Sequence, residues 1–173
     1  KIPTILFLLF LSYCHAVRLN VNQNDQITAE CGLLQNPNNI QGTIMIVQTG
    51  EEGIQIYPDV SGLTPGMHGF HVHQNPITGT DCESAGSHFN PEGVNHGGPD
   101  CEEHHTGDFG NLEADENGDA DEPIDISTVS LTGENGIQGL SLVIHQDQDD
   151  LGTDGDESLQ NGNSGARVAC CTI

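Results

Sequence analysis

The apolar residues of this chain come in short, β-branched runs broken by Gly, Asn, Asp and Pro, and no window of adequate length carries the three- and four-residue spacing of a helix. Gly42 to Val47, Gly53 to Tyr57, Ile124 to Leu131, Gly139 to His145 and Ala166 to Cys170 all read as strands, and several alternate apolar with polar residues. Thr49-Gly50, Pro65-Gly66, Asn117-Gly118 and Asn135-Gly136 supply turns between them. The pattern excludes a helical protein and predicts an all-β domain, a sandwich or Greek-key barrel, with no helix. Two stretches break the rhythm. Residues 74–107 are rich in Gly and Pro and hold His88, His96, His104 and His105; residues 146–166 are acidic and rich in Gly and Asn. Loops of that length inside a compact domain usually carry function.

Residues 1–16, KIPTILFLLFLSYCHA, have a basic start, an apolar centre and small residues before a cleavage point, as a secretory signal peptide does. The expected mature domain is 17–173, secreted and soluble. Twenty-six acids against three bases give a formal net charge of −23. Such a surface excludes nucleic acid and anionic membranes as partners, since both need Lys and Arg. It also makes Arg167 conspicuous, because the other two bases are Lys1 and Arg18. Cys31, Cys82, Cys101, Cys170 and Cys171 remain beyond the leader, an odd number with no CxxC pair. Disulfides are permitted outside the cell, and a thiolate zinc site is not expected. The acidic run Asp115 to Glu122 lacks the Glu that a calcium loop needs at its twelfth position, where Ile124 stands, and reads as a solvated turn.

The stretch HGFHVH, 68 to 73, carries the chemistry. On a strand His71 and His73 point to the same face and Phe70 and Val72 to the other. His68 falls out of that alternation and reads as a structural residue. His88, His96, His105 and Asp108 follow on the long loop, and His145 ends a later strand. Six imidazoles and a carboxylate suit copper(II) and zinc(II). Seven ligands are one short of two four-coordinate sites, and one imidazole used through both nitrogens closes the count.

HGFHVH, Cys82 to Pro91, His96-Gly97-Gly98-Pro99, His105 to Asn111, Val143-Ile144-His145, Asp149 to Gly152 and Gly162 to Cys170 together resemble copper/zinc superoxide dismutase, over roughly residues 29 to 173. The resemblance implies an eight-stranded Greek-key β-barrel, immunoglobulin-like, with two long functional loops. It implies an oxidoreductase that converts superoxide to oxygen and peroxide. Copper would be held by His71, His73, His88 and His145, and zinc by His88, His96, His105 and Asp108. Asp149 would hydrogen-bond one histidine of each site, and Arg167 would attract the substrate anion. Cys82 and Cys170 would form the intrachain disulfide, and Cys31 would be a free, buried strand cysteine. The rival reading is a non-catalytic extracellular metal-binding or interaction protein on the same barrel.

The chain also departs from the family. Asp147 and Gln160 stand where lysines are expected on the acidic loop. Asn75-Pro76 and Gln138 replace apolar dimer contacts, and the sequence stops at Cys171-Thr172-Ile173. A monomer or a non-standard homodimer is therefore expected, with room for a copper-loading chaperone as a partner. Cys101 and Cys171 are additional cysteines, for which a mutual disulfide and an intermolecular bridge are the alternatives.

Overall fold

A computed structural model describes residues 26–34 and 36–173, so the expected leader lies outside the described residues. Eight strands form, in chain order β1 (Thr28–Gly32), β2 (Gln41–Gln48), β3 (Ile54–Ser61), β4 (Gly66–His73), β5 (Asp108–Ala114), β6 (Ile124–Ile126), β7 (Ser141–His145) and β8 (Arg167–Thr172). They make two antiparallel four-stranded sheets, in the orders β1-β2-β3-β6 and β5-β4-β7-β8. The all-β expectation of eight strands holds.

Alternation does the folding. Ile44 and Ile46 on β2 and Ile54 and Ile56 on β3 are buried between the sheets, while Met45 points out. Phe70, Val72, Leu142 and Ile144 meet them from β4 and β7, and Phe70 packs edge-on against Phe109 at 6.1 Å. Burial at ~25 cal/mol per Å² of apolar surface makes this layer the main source of stability. Pro58 sits inside β3 without penalty. Its missing N–H falls in the gap between the Ile56–Ile124 and Val60–Ala120 pairs, where no ladder bond is due.

The structure differs from the sequence reading at four places. The run 124–131 is a strand only to Ile126, yet Val129 and Leu131 stay buried. They do so from a loop that plugs the sheet end, with Gly53 N–H donating to the Val129 carbonyl at 2.8 Å. Strands β1 and β5 lie outside the runs that read as strands from alternation. One short helix, α1 (Gly155–Asn161), corrects the expectation of none. Asp156 and Glu157 in its first turn suit the helix dipole and Gly162 ends it in the left-handed conformation, but seven residues are too few to show a helical period.

The fourth difference concerns cysteines. Cys82 pairs with Cys170, as the resemblance implied, but Cys31 is not free. It pairs with Cys171, while Cys101 is exposed and unpaired, so neither Cys101 alternative holds for Cys171. Adjacent strand residues face opposite ways. Cys170 therefore reaches the 3₁₀ turn Cys82–Ala85 on the outer side of its sheet, and Cys171 reaches β1 through the core. The Cys31–Cys171 bond, with Leu34 N–H donating to the Cys170 carbonyl at 3.0 Å, closes the seam between the two sheets.

A cross-link spanning 140 residues of chain restricts the unfolded state strongly. Replacing both Cys31 and Cys171 by Ala should lower the melting temperature by about 10 °C, measured by circular dichroism at one metal loading. An unchanged melt would show that this bond does not hold the seam.

Candidate metal centre

Strand β4 lies between β5 and β7, so both its edges are paired. Phe70 and Val72 enter the core, and His71 and His73 enter the space between the sheet and the two long loops. The β4–β5 register shifts between Gly69 and His71, and the β7–β8 register shifts between Ile144 and His145. Irregularities of this kind re-aim side chains, and here they sit beside histidines of the site.

Six imidazoles and two carboxylates converge there, all buried: His71, His73, His88, His96, His105, His145, Asp108 and Asp149. Asp149 joins His71 and His96 in one group, and the donor atoms of the other seven residues fall into two groups that share His88. One comprises His71, His73, His88 and His145; the other comprises His88, His96, His105 and Asp108; in each, the atoms lie within 4.8 Å of one another.

The outward hydrogen bonds decide what each ring offers inward. His73 Nδ1–H donates to the Gly86 carbonyl at 2.9 Å, and His145 Nδ1–H to the Gly165 carbonyl at 3.1 Å. Both Nε2 atoms are then lone pairs, yet they face each other at 3.4 Å. Two acceptors do not bond, so the pair calls for a cation between them. His71 Nε2–H donates to Asp149 Oδ2 at 2.8 Å, and its buried Nδ1 has no partner. His96 Nε2–H donates to Asp149 Oδ1 at 2.9 Å, and His105 Nε2–H to the Val94 carbonyl at 3.1 Å. Their Nδ1 atoms are likewise buried without a hydrogen-bond partner, and point at Asp108 from 2.9 and 3.2 Å. His88 has no outward bond: Nδ1 lies 2.8 Å from Asp108 Oδ1, and the ring centroid lies 4.1 Å from that of His71 with the planes tilted by 34°. Inward lone pairs and a buried carboxylate fit two divalent cations of the copper and zinc kind.

The loops make this geometry possible at particular residues. Gly162 adopts φ 66°, and a Cβ there would collide with Asp149 Oδ1. Only glycine lets the acidic loop close over the Asp149–His96 bond. Asn111, on β5, clasps the Asp149 backbone through both its amide atoms, at 2.8 and 3.0 Å. Sequence reasoning assigns it no role, although it ends the His105 to Asn111 motif. Nor does it find the Gly86, Gly165 and Val94 carbonyls, which carry no side-chain signal.

Arg167, at the start of β8, stands at the edge of the copper-type group. It donates from one terminal nitrogen to the Cys82 carbonyl at 2.9 Å and from the other to the Gly86 carbonyl. Gly86 thus holds both Arg167 and His73. A cleft of about 460 Å³ opens there, lined by Arg167, His73, His88 and His145. His68 is buried outside the clusters, between the Thr64 and His145 carbonyls at 2.8 and 2.7 Å. His104 also stays out, with Nδ1–H donating to the Cys101 carbonyl at 2.8 Å.

Residues 40–173 match the family described as Copper/zinc superoxide dismutase (SODC). The chain belongs to that family. It is 46% identical over 139 residues to the Extracellular superoxide dismutase [Cu-Zn] of Haemonchus contortus, covering 80% of this chain and 75% of the relative. It is 48% identical over 147 residues to the protein of the same name from Brugia pahangi, covering 83% and 73%.

Electrostatics in this superoxide dismutase follow from burial. His71 is lowered to about 3 and His145 to about 4, in both cases by desolvation above all, with neighbouring imidazoles adding to it. His73 and His88 are lowered too, again by burial first. His96 goes the other way. Burial opposes its charge, but the nearby Asp108 and Asp149 carboxylates outweigh that and raise it to about 9. Burial would raise Asp108 and Asp149, but the histidines against them prevail and both end below the carboxylate range, Asp149 at about 2. Without metal, a proton on His96 is the counter-charge of the two carboxylates.

These shifts set the pH dependence of the metal-free protein. A lowered histidine contributes stability that is complete above the ordinary 6.5 and is lost as pH falls toward its folded value. His96 contributes the reverse, complete below 6.5 and lost as pH rises through about 9. Four lowered histidines outweigh one raised on the acid side. The chelated protein should melt about 5 °C or more lower at about pH 4.5 than at about pH 7.5. Equal melts would contradict the burial of neutral imidazoles.

Proposed function

We propose that this chain is a superoxide dismutase working at the cleft beside Arg167, with copper held by His71, His73, His88 and His145 and zinc by His88, His96, His105 and Asp108. The two facing lone pairs of His73 and His145, at 3.4 Å, carry the assignment, because only a cation reconciles them. One-electron exchange with superoxide in both directions is the chemistry that bound copper supplies, giving oxygen in one half and peroxide in the other.

The chain's own residues account for the rest. Among the described residues Arg167 is the sole Lys or Arg, so the positive side-chain charge at the mouth of the cleft is its guanidinium. Backbone carbonyls of the 3₁₀ turn hold it in place, and the Cys82–Cys170 bond holds that turn to β8. With His88 Nδ1 turned to Asp108, its Nε2 would be the atom able to hold a proton. Asp149 fixes a ring of each group and so ties the two sites into one rigid unit. No observation favours a non-catalytic role.

Residues 17–173 form the working domain on this reading, secreted after removal of 1–16. The extracellular names of the relatives and the two disulfides support that placement. Asn75-Pro76 and Gln138 stand where the resemblance expects apolar dimer contacts, which supports a monomer, and sedimentation at micromolar concentration should give a single-chain mass; a stable homodimer would overturn it.

Dismutation by the copper- and zinc-loaded protein, followed across ionic strength, tests the function. Activity should hold steady or rise with salt, because screening removes repulsion between superoxide and a chain of net charge −23. His73→Ala should lower activity by more than about a hundredfold. Full metal occupancy without turnover would contradict the proposal.

A further inference from the structure

Glu83 follows the disulfide cysteine on the 3₁₀ turn, and its carboxylate lies at the cleft mouth with Arg167. Arg167 Nε is 3.6 Å from Glu83 Oε2, and the two terminal nitrogens of the guanidinium already donate to the Cys82 and Gly86 carbonyls. The guanidinium thus has a protein acceptor facing each nitrogen, and its charge is matched by one carboxylate. Glu157, on the first turn of α1, lines the same cleft. The local sum of these side chains is two acids against one base.

The Glu83 side chain is 71% exposed and that of Arg167 is 16% exposed, so this pair adds little to stability. What it changes is the field that an anion meets on entering. Repulsion by a carboxylate grows with the charge of the approaching ion, so a dianion is opposed about twice as strongly as a monoanion. A wide cleft that must admit a small monoanion, in a fluid that also holds phosphate, gains selectivity from such a group.

We propose that Glu83 is a specificity residue of this cleft: it competes with incoming anions for Arg167 and disfavours dianions over small monoanions. This rests on the reading that Arg167 attracts the substrate. Glu83 faces the guanidinium and not the reacting atoms, so its effect is on binding.

Azide and inorganic phosphate are the probes, with azide affinity read from the visible absorption of the copper- and zinc-loaded protein and phosphate affinity from its competition with azide. Glu83→Gln keeps the shape of an exposed side chain and should fold normally. It should tighten azide roughly threefold, the range an exposed ion pair supplies, and phosphate by roughly the square of that. Glu30→Gln removes the same charge from an exposed position on β1 and should change neither. In an Arg167→Gln background azide should bind more weakly, and Glu83→Gln should then add little. If Arg167→Gln leaves azide affinity intact, the underlying reading of Arg167 fails and the proposal falls with it. If Arg167→Gln weakens azide while Glu83→Gln behaves like Glu30→Gln, the proposal alone is overturned.

Discussion

Six imidazoles and two carboxylates are packed together out of water, and the rest of the structure is arranged around them. The outward hydrogen bonds of these rings to backbone carbonyls and to Asp149 leave lone pairs pointing inward, at one another and at Asp108. In water such lone pairs would be solvated. Under the loops they have no donor, and an unpaired buried polar group costs on the order of 1–3 kcal/mol. A bound metal would give these lone pairs the partner that the protein does not supply. One proton on His96 meets part of the demand, between two carboxylates that stay ionised. Affinity for metal and stability of the fold are then one quantity seen from two sides.

Everything around the site serves that arrangement. The irregular registers of β4–β5 and β7–β8 occur beside His71 and His145. The Cys82–Cys170 bond anchors the 3₁₀ turn, and the Gly86 carbonyl at the end of that turn holds both His73 and Arg167. Gly162 lets the acidic loop approach close enough for Asp149 to meet two rings at once. One short chain of contacts thus links a disulfide, the Arg167 guanidinium and His73. The same turn presents Glu83 to Arg167, so the element that fixes the guanidinium also tempers its charge.

Much of this is legible in the sequence, for identifiable reasons. The spacing of His71 and His73 needs only strand alternation to place both on one face. The number and type of the remaining ligands argue for a shared imidazole before any geometry is known. The short, β-branched runs argue for an all-β domain, and the buried alternation of β2 and β3 agrees. What stays hidden depends on contacts distant in the chain. The partner of Cys171 is Cys31, 140 residues away, where the resemblance implies a free thiol. Helix α1 is too short to carry a period, and β5 begins at Asp108, where polar and glycine residues mask a strand. The carbonyls that orient the histidines belong to glycines and a valine, whose side chains announce nothing.

Crystals of the copper- and zinc-loaded protein, measured at both metal absorption edges, test the central claim most directly. The account predicts two separate peaks. The copper peak should lie among His71 Nδ1 and the Nε2 atoms of His73, His88 and His145; the zinc peak should lie among the Nδ1 atoms of His88, His96 and His105 and the Asp108 carboxylate. His88 should contact both through its two ring nitrogens. A single peak, or a His88 that reaches only one metal at both redox states of copper, would contradict it.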